Sequence, residues 1–233
     1  MKKVVFLFAA AIAIVACKPA QQEVGENGAK EKEVLNEKPS TEVSALKLAN
    51  QMIKFGYEQQ SALSLISGAQ ILMETDFEEM DEKKDGPTVS ESETKDGIDI
   101  PTDIDAILAD AKEMAEGDDN LLAVISSMNE MAGDSHRGAV GGPKRTVDRV
   151  RENSTDVYTI NFVAGQLAEV ALSGDGDTDL DLYVYDSNGN LIDKDDDYSD
   201  DCYVSWCPRW TGKFIIKVVN LGPLWNKYIL VTN

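Results

Sequence analysis

The sequence predicts an α + β chain in two parts, a small N-terminal helical domain of two hairpins followed by a C-terminal antiparallel β-sandwich. Three observations predict it. Between residues 40 and 132, apolar residues recur at helical spacing. Over residues 144–233, short β-rich runs alternate with turn residues. Between the two, Gly133, Gly138, Gly141 and Gly142 precede Pro143, so residues 133–143 read as a linker.

The chain of 233 residues begins with Lys2-Lys3 and an apolar run from Val4 to Val15. That run is short for a membrane span and reads as a targeting signal. It ends in Ile14-Val15-Ala16-Cys17, which resembles the lipobox of bacterial lipoproteins. The resemblance implies a lipoprotein signal peptide over residues 1–17, with Cys17 as the lipidated residue. It places the protein on the membrane of the bacterial cell envelope, periplasmic or surface-facing. Lys18 after the cysteine is compatible with the outer membrane. Two or three acyl chains hold stably where one holds weakly. Residues 18–39 are rich in Glu, Lys, Gln and Gly, lack aromatics, and read as a disordered tether.

The helical part, residues 40–132, opens on Ser40 or Thr41 as a cap. Val43, Leu46, Leu48, Met52, Ile53 and Phe55 form its first apolar stripe. A break at Gly56 or Gln59-Gln60-Ser61 leads to a second helix carrying Leu63, Leu65, Ile66, Ala69, Ile71 and Leu72. Residues 76–100 are acidic, poor in apolar residues, and read as a long loop. Pro101-Thr102 opens a third helix, with Thr102 as the expected N-cap. Gly117-Asp118-Asp119 ends it, and a fourth helix covers Asn120 to Ala132.

Eight strands are expected in the sandwich: Arg145–Val150, Asp156–Phe162, Leu167–Leu172, Leu180–Tyr185, Leu191–Asp193, Cys202–Trp206, Lys213–Val219 and Lys227–Thr232. Alternation puts Leu180, Leu182 and Val184 on one face, and Asp179, Asp181, Tyr183 and Tyr185 on the other. Cys202 and Cys207 sit an odd number apart, at opposite ends of a strand about 16 Å long, too far for a disulfide. They read as two thiols.

The formal charge is −20, with 42 acidic against 22 basic side chains. Nucleic acid, which requires cationic contacts, is excluded as a partner. The acids concentrate in two loops: Asp175, Asp177 and Asp179 in one, Asp193, Asp195, Asp196, Asp197, Asp200 and Asp201 in the other. Calcium takes six to eight oxygens from such loops, so Asp175, Asp177, Asp179, Asp193, Asp195, Asp196 and Asp197 are candidate calcium ligands. The EF-hand pattern fails, because Leu180 stands where its glycine is required. The competing reading is a solvated acidic edge that discourages sheet pairing.

Gly174-Asp175-Gly176-Asp177-Thr178-Asp179-Leu180-Asp181-Leu182-Tyr183-Val184-Tyr185-Asp186, with the later Asn188-Gly189 and Thr211-Gly212-Lys213-Phe214 elements, resembles the bacterial pre-peptidase C-terminal domain family. The likeness covers about the last 90 residues. It implies a jelly-roll-like β-sandwich, of a kind that usually accompanies secreted peptidases and in some members binds calcium or collagen. No peptidase-like segment precedes the sandwich in this sequence.

Tyr183, Tyr185 and Trp225 are candidate ligand-binding aromatics, whereas Trp206 and Trp210 read as core. Catalytic patterns are scarce. His136 is the single histidine and falls in the glycine-rich linker. The expected function is therefore a non-catalytic, lipid-anchored envelope protein whose sandwich binds an extracellular or envelope protein or a glycan, with calcium a candidate cofactor. The alternatives are an accessory or targeting partner of an exported peptidase, and an unrecognised hydrolase using His136 or a carboxylate pair.

Overall fold

The structure, a computed structural model, describes residues 40–90, 93–95, 99–132 and 143–233. Cys17, the signal and tether, and His136 with the linker glycines lie outside the described residues.

Among the described residues, four helices come first: α1 (Thr41–Glu58), α2 (Ala62–Glu74), α3 (Ile104–Met114) and α4 (Asp119–Ala132). Ser40 caps α1 by accepting from the Val43 N–H at 3.3 Å. The break falls at Gln59-Gln60, where Gln60 adopts φ 52°. The cap of α3 is Asp103 and not Thr102, since its carboxylate accepts from the Ala106 N–H at 3.1 Å. An Asp is as good a cap as a Thr, and it sits one residue closer to the first helical turn. The buried stripe of α1 also differs from the expected one. It consists of Val43, Leu46, Ala49, Asn50, Ile53 and Gly56, while Leu48 and Phe55 are half exposed. Close approach of α2 explains this. A Cβ on Gly68 of α2 would lie 2.6 Å from Ile53 and 2.9 Å from the Ala49 carbonyl, so small residues mark the contact line.

Nine strands follow or interleave among the described residues. The two-residue β1 (Glu78–Glu79) lies in the segment expected to be loop. The remainder are β2 (Lys144–Val150), β3 (Thr155–Phe162), β4 (Ala168–Gly174), β5 (Leu180–Asp186), β6 (Leu191–Asp195), β7 (Asp201–Trp206), β8 (Gly212–Asn220) and β9 (Asn226–Thr232). All eight expected strands are present. They form one sheet in the order β1-β2-β9-β4-β7 and another in the order β3-β8-β5-β6, antiparallel throughout except for β1 beside β2. One apolar cluster joins the sheets, with Val170, Leu172, Val204, Tyr228 and Leu230 from the first meeting Tyr158, Leu180, Leu182, Val184, Phe214 and Ile216 from the second.

The helices do not stand apart from the strands. They share a second apolar cluster with Ala171 of β4 and Val231 of β9, which point away from the sandwich core. The molecule is thus three layers: helices, a five-stranded sheet and a four-stranded sheet. β4 is buried along its whole length because both its faces are covered. Its outward residues include the small Ala171 and Ser173, which let α1 approach.

The segment between α2 and α3 is a strap rather than a free loop. β1 pairs with β2, and Asp85 bridges to Val157 of β3, with backbone N–H···O distances of 2.8 Å in both directions. Met80 packs against the sandwich core. A bridge this short has no periodicity in sequence and is specified by its tertiary partners.

Candidate functional site

The two acidic loops are met by lysines from elsewhere in the chain. The Lys95 ammonium, carried by the strap, contacts Asp175 and lies 2.6 Å from the Asp177 carboxylate. The Lys95 and Asp175 side chains are each 2 % exposed. The same ammonium lies 4.1 Å from the centre of the Trp225 ring. Gly176, at φ +94°, makes the turn that brings Asp175 and Asp177 to one cation. Burial holds the Asp175 carboxyl above its ordinary range despite the opposing pull of Lys95 and the Lys227 N–H.

A second clasp joins α1 to the other acidic loop. Lys54 contacts Asp200 and lies 3.5 Å from Asp201. Burial pulls the Lys54 pKa down, but hydrogen bonding and charge from Asp200 and Asp201 outweigh it and leave it raised. Glu169 of β4, fully buried, fixes the start of α1 by accepting from the Ser40 N–H at 3.0 Å and from the Tyr203 hydroxyl at 2.5 Å. A carboxylate at a helix N-terminus is favoured by the helix dipole.

The seven expected calcium ligands do not converge. Asp175 and Asp177 hold Lys95. Asp195 accepts from the Tyr203 N–H at 2.9 Å, Asp196 pairs with Lys194, and Asp197 accepts from the Ser199 N–H at 2.9 Å. Asp193 accepts from the Lys194 N–H, and Asp179, within reach of the Asp197 and Asp200 charges, has one oxygen buried without a hydrogen-bond partner. No group of three or more His, Cys, Asp or Glu among the described residues is arranged to hold a metal. Asp175 and Asp177 are met by the Lys95 ammonium, which stands where a cation shared by these two carboxylates would sit. The sequence carried the charge of the loops but not the position of the countercharge, since Lys95 lies 80 residues from Asp175.

A third buried network holds the strap further along. Lys84 lies 3.0 Å from Asp156 and 2.7 Å from Asp148. Asp156 accepts from the Tyr228 hydroxyl at 2.9 Å, and that hydroxyl is 2.7 Å from Tyr158. Burial raises the Asp156 pKa. Asp156, Tyr158 and Tyr228 are almost wholly enclosed, so the network can hold the strap but cannot meet a substrate.

Trp225 is not a ligand-gripping aromatic. It is 4 % exposed and lies between Lys95 and Arg149, whose guanidinium is 5.0 Å from the ring. Trp206 is core, as expected, stacked edge-on with Phe162 at 4.7 Å. Trp210 is 39 % exposed and stacks on Phe214.

Tyr183 and Tyr185 are placed differently. Leu180, Leu182 and Val184 of β5 point into the core, so the two tyrosines project from the outer face of the four-stranded sheet. Their rings stack at 6.4 Å with planes 26° apart. Tyr183 is opposite Lys217 and Tyr185 opposite Ile215, both of β8, and the Lys217 ammonium lies 4.8 Å from the Tyr185 ring. Leu191, opposite Tyr185 on β6, is 49 % exposed. The Tyr183 hydroxyl donates to Asp181 at 3.1 Å, and burial followed by that carboxylate pushes its pKa up to about 12. The result is a platform of two aromatic faces and aliphatic flanks, with Lys217 of β8 and Lys194 of β6 on either side of Tyr183, on an otherwise acidic molecule.

Cys202 and Cys207 are free thiols. Cys202 is buried and donates to the Leu180 carbonyl at 3.0 Å, and burial drives its pKa far up, so it is chemically inert.

No protein-family model and no curated protein matches the chain. Among solved structures, it is similar to the pre-peptidase C-terminal domain of a collagenase from Bacillus anthracis, at 14 % identity and a TM-score of 0.33, over 38 % of this chain and 89 % of that one. It is similar to PliG of Aeromonas hydrophila, a periplasmic inhibitor of g-type lysozyme, at 15 % identity and a TM-score of 0.33, over 42 % of this chain and 90 % of that one. It is also similar to the SPBc2 prophage-derived protein YomS, at 16 % identity and a TM-score of 0.25, over 42 % of this chain and all of that one.

Proposed function

We propose that the protein is a non-catalytic, lipid-anchored envelope protein that binds a glycan on the outer face of its four-stranded sheet. The observation that carries this reading is the stacked Tyr183–Tyr185 pair with Lys217 beside it. Tyrosine rings offer flat apolar faces to sugar rings, while their hydroxyls and a lysine supply hydrogen bonds at the rim. Anchoring through Cys17 would keep the platform in the envelope, where glycans are abundant. The strand orders β2-β9-β4-β7 and β3-β8-β5-β6 support a jelly roll, an architecture of two Greek keys that presents such open sheet faces. A binding role also agrees with the commitment of the buried Lys95–Asp175 and Lys84–Asp156 pairs to holding the strap. In this reading the cations of the acidic loops are Lys95 and Lys54, and calcium has no part.

The test is calorimetric titration of the full chain with soluble peptidoglycan fragments and with a panel of neutral oligosaccharides. Binding to one class that weakens about tenfold or more in Tyr185→Ala supports the reading, since truncating an anchoring aromatic costs about 2 kcal/mol or more and tenfold is about 1.4 kcal/mol. Absence of binding across the panel, with capture of an exported peptidase in its place, would favour the accessory-partner role.

A further inference from the structure

The outer face of the four-stranded sheet differs in charge from the rest of the chain. On β8, the buried Phe214, Ile216 and Val218 alternate with Lys213, Ile215 and Lys217, which turn outward. Tyr183 and Tyr185 of β5 stand beside them, and Lys194 and Leu191 of β6 lie beyond the tyrosines. The outward residues of β3, Val157, Thr159 and Asn161, carry no charge.

The carboxylates that border this face have partners of their own. Asp181 is 5 % exposed and accepts from the Tyr183 hydroxyl. Asp193 accepts from the Lys194 N–H, and Asp196 pairs with the Lys194 ammonium. Lys213 and Lys217, in contrast, form no ion pair among the described residues. Lys217 stands opposite Tyr183, yet its ammonium lies 4.8 Å from the centre of the Tyr185 ring. It therefore leans along the sheet toward Tyr185 and away from Asp181, which precedes Tyr183 on the strand. Lys213 is exposed on the same side of Tyr185 as the end of β5. On a chain with 42 acidic side chains, two unpaired ammonium groups beside an aromatic pair leave a local surplus of positive charge.

We propose that the glycan received on this platform is acidic, with a sugar of the uronic-acid class lying on the Tyr185 ring and its carboxylate at the Lys217 ammonium. The inference rests on the tyrosine platform as the glycan site and narrows what that site takes. Leu191 and Ile215, opposite Tyr185 on its two neighbouring strands, meet the uncharged edges of the sugar ring. A lysine presents a compact point charge with three donors, so it takes a carboxylate without requiring the planar, two-pronged geometry of an arginine. The acidic loop that ends at Asp179 does not cancel this attraction. From Leu180 to Tyr185 the strand runs about 16 Å, about two screening lengths at physiological salt.

The experiment is calorimetric titration of the full chain in physiological salt with oligosaccharides of polygalacturonate, alginate and hyaluronan, each against its own methyl ester. The ester keeps the rings and removes the charge. At least one acid should bind about fivefold or more tightly than its ester. Lys217→Gln should cut that preference to about twofold or less while leaving the ester's affinity in place. Lys112→Gln, which removes an exposed charge from α3, should leave the preference intact. Equal affinity for acid and ester in every pair overturns the inference, and binding of the esters or of neutral oligosaccharides in that case leaves the glycan platform standing. A preference that survives Lys217→Gln, or that falls equally in Lys112→Gln, also overturns it. Absence of binding by acids, esters and neutral sugars alike overturns the platform together with the inference.

Discussion

The outer faces of the two sheets begin from the same alternation and end in opposite roles. On the five-stranded sheet, the outward residues Glu169, Ala171, Ser173 and Tyr203 lie beneath the helices, and the charged ones are tied to α1. On the four-stranded sheet, the outward Tyr183, Tyr185, Ile215 and Lys217 remain partly open to solvent. Alternation selects which residues leave the core but does not specify what they meet. A covered face commits its polar groups to the fold, because a buried polar group without a partner is costly. An open face leaves its aromatics available to a ligand. Substitutions on the first should therefore act on stability, and substitutions on the second on binding.

The largest effect is expected at Lys95. Removing one partner of a buried ion pair leaves the others uncompensated, at a cost of about 3–5 kcal/mol. Lys95→Met should lower the melting temperature by on the order of 10 °C, measured by circular dichroism. A change below about 2 °C would show that Asp175 and Asp177 do not depend on the lysine.

Next in size is a pH effect at Lys54. Its folded pKa is raised, so its contribution is fully present below the unfolded lysine value of about 10.4 and is lost as pH rises through the higher folded value. The urea midpoint of the wild-type chain should fall along this alkaline limb, and Lys54→Met should flatten part of the fall. Parallel limbs for the two chains would contradict the clasp between α1 and the second acidic loop.

The smallest effect concerns calcium. With an ammonium already between Asp175 and Asp177, millimolar calcium and excess chelator should give the wild-type chain the same melting temperature. A ligand at 100 times its dissociation constant stabilises by about 2.7 kcal/mol, so a real site would be visible as a shift of several degrees.

Much of this arrangement was legible in the sequence, and the unreadable part has a common cause. Period-two alternation over Leu180 to Tyr185 fixed the inward leucines and the outward tyrosines, because the core face of a strand follows from local order alone. The helices were equally plain from their spacing, although the small residues Ala49 and Gly68 decided which side of α1 faced α2. What escaped were contacts across long separations. Nothing near Lys95 or Lys54 in the sequence tells what each faces, and Trp225 looks like any surface tryptophan until Lys95 and Arg149 flank it. A run of aspartates reports its own charge but not the origin of the cation that meets it, which is why calcium was a natural reading. One signal was available: a lysine within the strap, followed by the buried Ile100, fits a segment that returns to the fold better than a free loop.

The central claim is that the covered face holds the molecule together and the open face binds. The most direct measurement takes the double variant Tyr183→Ala/Tyr185→Ala and records both its melting temperature and its affinity for the glycan class identified with the wild-type chain. The account predicts a loss of affinity of about tenfold or more, with the melting temperature within about 3 °C of wild type. Undiminished affinity in the double variant would contradict it.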